Sequence, residues 1–121
     1  NAWIFRSPEE YSYTQQTEKI DIYSMGNIFY SLLMHAYPFQ TQYKRYNETF
    51  VQNLVRQGTR PKVAKSLLTS KDPSIQALIT AMNMCFVQDW RERASALDVE
   101  RFLVDSLDTI LKQQHGEAAL E

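Results

Sequence analysis

Residues 17–33, TEKIDIYSMGNIFYSLL, constrain the fold more than any other part of the chain. A helix written with this stretch is apolar on more than one face: Ile20, Ile22, Met25, Ile28, Phe29, Leu32 and Leu33 spread around it. Such a helix belongs inside a protein, not on its surface. Yet Asp21, Ser24 and Gly26 lie in its first turns. A buried acid is costly unless something donates to it. Taken by itself, Asp21 reads as a partner of the helix dipole. Gly26 has no Cβ and lets a neighbouring backbone approach closely. A helix is expected from about Ile20 to His35, stopping before Pro38, which can neither continue a helix nor tolerate a helical residue before it.

The rest of the chain reads as further helices. Pro8 opens a short polar turn, with Glu9 and Glu10 where a helix dipole favours anions. A polar stretch covers Ser12 to Lys19. Phe50, Val51, Leu54 and Val55 form a stripe that predicts a helix from about Glu48 to Gln57, ended by Gly58. TRPKVAKSLLTS has no clean period and reads as loop. Asp72 and Pro73 supply an N-cap and a first helical residue. Ile75, Leu78, Ile79, Met82, Cys85 and Phe86 then share one face of the helix that follows. Ser95 and Asp98 have capping-box spacing. Val99, Phe102, Leu103, Leu107, Ile110 and Leu111 mark a last helix to about Gln113, with 113–121 as a flexible tail. No strand alternation or internal repeat is visible, so the expected class is all-α.

Composition narrows the function. With 121 residues, 44% apolar and 22% charged, the chain suits one small domain or part of a larger one. A net charge of −1 gives no footprint for nucleic acid or for an anionic membrane surface. No apolar run is long enough for a membrane span. The single cysteine, Cys85, cannot form an internal disulfide; on a buried stripe it reads as core packing. His35 and His115 have no ligand-spaced partners, so no metal site is expected. Asn47-Glu48-Thr49 fits a glycosylation pattern, which is taken as chance. Tyr43 and Tyr46 beside Lys44 and Arg45 read as a solvated loop. The chain opens directly into NAWIFRSPEEY without Met, which is the expectation for a segment cut from something longer.

Taken in order, SPEEY, DIYSMG, YPF and DWRERAS resemble the C-terminal part of the large lobe of a eukaryotic protein kinase, over residues 1–112. Ser7-Pro8-Glu9 is similar to the Ala-Pro-Glu motif that closes the activation segment. Asp21, Tyr23, Ser24 and Gly26 match the Asp-x-Trp/Tyr-Ser-x-Gly start of the central helix. Pro38 and Phe39 match the pair that follows it. Cys85, Asp89 and Arg93 match a Cys-x3-Asp-Pro-x2-Arg-Pro pattern, with Trp90 and Ala94 where the family usually has prolines. The branch nearest in flavour is the tyrosine-kinase-like one.

The resemblance implies a helical large-lobe fragment of a kinase-like α+β fold. It implies that Asp21 accepts backbone N–H bonds from a catalytic loop lying upstream. It also implies a buried ion pair between Glu9 and Arg93, for which the planar guanidinium fork is suited. Without the resemblance these are two surface charges worth up to roughly 1 kcal/mol, and Arg91 is a competitor for Glu9. Ala2, Trp3, Ile4, Phe5 and Arg6 occupy the segment that lines the substrate pocket in the family; Trp3 and Phe5 serve equally well as core anchors.

Absences set the limits of the activity. Phosphoryl transfer needs a Gly-rich loop, a strand Lys, a catalytic Asp and Asn, and a metal-binding Asp. None of these motifs occurs here, so this chain is expected to hold no catalytic, cofactor or metal residue and to be inactive alone. ATP and Mg²⁺ belong to the intact parent, as do the protein substrate and a cytoplasmic location, with a receptor's cytosolic domain also consistent. The partner expected for this chain is the N-terminal part of the kinase domain. Apolar surface is expected around residues 1–7 and the first turns of the central helix, where that part would dock. Ala2 stands where serine/threonine kinases carry a Thr whose hydroxyl bonds the catalytic Asp. A pseudokinase lobe acting as a scaffold is therefore the alternative, and an unrelated all-α interaction module is a further one.

Overall fold

The computed structural model describes residues 3–12, 16–44 and 46–120, with side chains to residue 116. Its elements are a 3-10 turn at Trp3–Phe5 and six helices: α1 Pro8–Tyr11, α2 Lys19–Met34, α3 Glu48–Arg56, α4 Lys65–Leu68, α5 Pro73–Cys85 and α6 Ala96–Leu120. No strand occurs among the described residues.

Local chemistry sets the helix ends. Asp72 accepts from the Ser74 N–H at 2.8 Å, and Pro73 fills the first helical position of α5. Asn47, read above only as a glycosylation pattern, caps α3 by accepting from Phe50 N–H at 3.0 Å. Gly58, at φ 91°, ends α3 in the left-handed region. Ser95 and Asp98 bond reciprocally at 3.0 and 3.1 Å ahead of α6. The Ser95 donors hold the Asp98 carboxyl below its ordinary range. The stop of α2 is earlier than Pro38 alone requires. His35 adopts φ 52° and its N–H returns to Ser31 O at 2.9 Å, a left-handed cap.

Packing radiates from α2, which lies chiefly on α5, while α5 also carries α6. One cluster joins Tyr11, Tyr23, Tyr30, Phe39, Val51, Val55, Val63, Met82 and Phe86; another joins Ile22, Ala81, Cys85 and Val99. Burial pushes the Cys85 thiol up to about 11. In the folded chain it is therefore expected to resist a disulfide reagent at neutral pH, reacting only after denaturant is added. Prompt reaction of the native chain would show that this part of the core opens.

Three expectations need correction. The loop expected across 59–70 contains one helical turn, α4, too short for any period to reveal. The last helix does not stop near Gln113 but continues to Leu120. Its apolar stripe ends earlier, yet the Lys, Gln, Glu, Ala and Leu of 112–120 are good helix formers that carry the helix on through His115 and Gly116. Finally, α2 is not apolar-buried all round. Its buried side is Ile22, Tyr23, Ser24, Gly26, Asn27 and Tyr30. Ile28 and Leu32 stand 50% and 59% exposed.

Candidate functional site

Arg93 organises the best-built polar site. It lies in the connection between α5 and α6 and is 2% exposed. Its five N–H donors all find oxygen acceptors. The fork grips Glu9 at 2.8 and 2.9 Å. The remaining donors reach Lys19 O at 2.7 Å, Val87 O at 2.9 Å and Gln88 O at 3.3 Å. In return, the Lys19 ammonium donates to Arg93 O. One side chain thus ties α1, the first residue of α2 and the segment after α5. Arg91, the alternative partner for Glu9, lies instead beside Asp89 with its side chain 73% exposed.

A second guanidinium, unforeseen from sequence, adjoins the first. Arg60 donates to Phe86 O at 2.7 Å, to the Tyr23 hydroxyl at 3.0 Å and to Gln88 Oε1 at 2.8 Å. Both Arg60 and Arg93 lie against the Tyr23 ring, at 5.3 and 5.0 Å from its centroid. Burial pushes the Tyr23 hydroxyl up to about 12, so it stays neutral near pH 7. Nothing in spacing or periodicity links residue 60 to residues 23 and 86; only the folded path of the irregular 59–64 segment does.

The Trp3–Arg6 segment is fixed on α2. Ser24 Oγ donates to Phe5 O at 2.8 Å, and Asn27 Nδ2 donates to the same oxygen at 3.4 Å. Trp3 packs against Tyr46 with ring centroids 5.7 Å apart, and its carbonyl accepts from the Tyr11 hydroxyl. Phe5 meets Tyr37 edge-on at 6.4 Å, and Arg6 lies 3.7 Å from Glu48. Ser7 is buried; its N–H and hydroxyl donate to the Glu10 carboxylate at 2.7 and 3.0 Å. Trp3 to Arg6 are half-buried rather than open. The apolar exposure expected around residues 1–7 is therefore not found at Trp3–Ser7, because the chain's own side chains cover it. Ala2 lies outside the described residues. Changing Ser24 to alanine is expected to cost about 1 kcal/mol, the usual net worth of such a bond. Amide exchange should quicken near Phe5 and stay unchanged in α5. Equal acceleration in both would mean that Ser24 acts on global stability alone.

Gly26 sits where α2 and α5 touch. A Cβ built there would lie 2.8 Å from Cys85 Cβ and 2.9 Å from the Phe86 ring. Asp21 is exposed; its N–H donates to Glu18 O at 3.2 Å, and no described residue donates to its carboxylate. It starts a stripe that continues one, two and three turns on through Met25, Ile28 and Leu32, half-buried at Met25 and exposed at Ile28 and Leu32. The structure thus brings Glu9 and Arg93 together, and Ser24 to Phe5, but leaves Asp21 facing outward.

No protein-family model matches the chain, and no curated protein is similar enough to count as a relative. Among the described residues no cluster of His, Cys, Asp and Glu could hold a metal ion. No helix among them is long and apolar enough to cross a membrane.

Proposed function

We propose that this chain is the C-terminal portion of the large lobe of a protein kinase whose parent transfers the γ-phosphate of ATP to protein hydroxyls. The observation that carries the proposal is the Glu9–Arg93 pair. A Ser-Pro-Glu turn at one end of the chain and an arginine late in it meet as a buried, forked and fully bonded pair. That geometry is what the kinase resemblance requires and what two unrelated surface charges have no reason to adopt. The outward stripe of Asp21, Ile28 and Leu32 is the complementary feature: an exposed acid above an apolar strip suits a docking face for the upstream part of the lobe.

In this account the chain's work is positional. Arg93 and Glu9 hold the end of the activation segment against the late helices. Ser24 and Asn27 orient the Phe5 carbonyl, and with it the Trp3–Arg6 wall of a substrate pocket. ATP and Mg²⁺ do not fit the residues present: there is no Gly-rich phosphate cradle in the sequence and no metal-ligand cluster among the described residues. Both are assigned to the upstream part, and no chemical step is assigned to this chain.

A pseudokinase scaffold is the second reading, favoured by one observation: Ala2 offers no hydroxyl where a Ser/Thr kinase uses one. The deciding experiment is to read and express the frame upstream of Asn1 joined to this chain, then measure transfer of labelled phosphate from ATP to protein. Intact His-Arg-Asp and Asp-Phe-Gly motifs with transfer are the expected result. Degenerate motifs without transfer select the scaffold. An upstream frame with no kinase-like segment overturns both.

A further inference from the structure

We infer that the outward face of α6 is a self-association surface, on which a second copy of this chain lies antiparallel. Leu97, Val104, Leu107 and Leu111 are 50%, 55%, 56% and 42% exposed. With Glu100 included they recur at alternating steps of three and four residues, the seam of a two-stranded coiled coil. The other side of the same helix is already engaged, since Val99 and Phe102 pack with Ala81 and Cys85 of α5. A helix apolar on two sides, with one side filled, has a second side to cover.

The flanking charges choose the occupant and its direction. Arg101 and Asp108 are both exposed and lie on the same flank of the seam, one heptad apart. In an antiparallel pair like flanks face each other, so Arg101 of each copy meets Asp108 of the other, twice by symmetry. In the same register Glu100 comes level with Thr109 of the second copy, away from its own equivalent. A parallel pair would set Glu100 against its own equivalent inside the seam, where like charges repel. The face is therefore self-complementary in one direction only. Its seam is short, so the dimer is weak and concentration-dependent. This inference does not rest on the kinase assignment, and phosphate transfer does not bear on it.

Sedimentation equilibrium of the whole chain over a concentration series tests it, with circular dichroism confirming that each variant keeps its helices. All substituted side chains are exposed. The expected result is a monomer–dimer equilibrium abolished by Leu107→Glu and weakened about tenfold or more by Arg101→Asp. Adding Asp108→Arg to Arg101→Asp is expected to restore the affinity of the unaltered chain. A chain that stays monomeric up to about 1 mM overturns the inference. So does a dimer indifferent to Leu107→Glu but lost on Leu32→Gln, which would place the contact on α2. Failure of the double exchange to restore binding overturns the antiparallel arrangement.

Discussion

Replacing Arg93 with alanine is expected to lower the unfolding free energy by about 3–5 kcal/mol, the cost of removing one partner of a buried ion pair. That is a large part of the roughly 5–15 kcal/mol that holds a domain together. The reason lies in the number of groups abandoned at once. Glu9, 5% exposed, keeps no forked donor, and the carbonyls of Lys19, Val87 and Gln88 lose theirs. Water cannot easily replace a guanidinium that reaches acceptors on three segments. Arg93→Lys should recover little, because a single ammonium cannot reproduce the fork and the side bonds together. A double-mutant cycle with Glu9→Gln, read from urea unfolding by circular dichroism, isolates the pair itself. A loss below about 1 kcal/mol for Arg93→Ala would equate the pair with an exposed salt bridge and contradict its burial.

The pair also shows what a sequence can reveal. Glu9 and Arg93 are 84 positions apart. No local rule joins them, and only the ordered motifs around each predict their meeting. Helix positions, by contrast, were legible from caps and periodicity: Asp72 with Pro73, Ser95 with Asp98, and Gly58 act within a turn of themselves. Arg60 was not legible. Its partners lie on α2 and at the end of α5, and nothing near residue 60 announces a buried guanidinium. The exposed face of α2 was misjudged for a different reason. Apolar residues all round a helix say that every side needs cover, not that this chain supplies it. Ile28 and Leu32 remain open because no described residue packs over them. The same logic applies to α6, whose second apolar side is open too. Asp21 could be placed on the helix from sequence, but its outward direction could not, since that depends on which side of α2 meets α5.

The closest approach in the core yields the other large effect. Gly26→Ala is expected to destabilise the chain by about 2 kcal/mol, although a mid-helix Gly→Ala change ordinarily gains about 1 kcal/mol. The added carbon would sit 2.8 Å from Cys85 Cβ and 2.9 and 3.0 Å from two carbons of the Phe86 ring. Cys85 Cβ is bonded directly to the backbone of α5 and has no rotamer that removes it. Relief requires the two helices to separate, and close-packed interiors resist that. Gly26→Val should be worse, and Cys85→Gly in the Gly26→Ala background should be better than the sum of the two changes, since it removes the obstructing atom. Separation would not stay local. Ser24 and Asn27 ride on α2 and hold the Phe5 carbonyl, so the wall formed by Trp3 to Arg6 should loosen as α2 shifts. Amide exchange across residues 3–7 is expected to rise in Gly26→Ala and to fall back in the double variant. Unfolding that leaves Gly26→Ala as stable as the unaltered chain would mean that α2 and α5 are not pressed together there, and that some other contact sets the position of the Phe5 carbonyl.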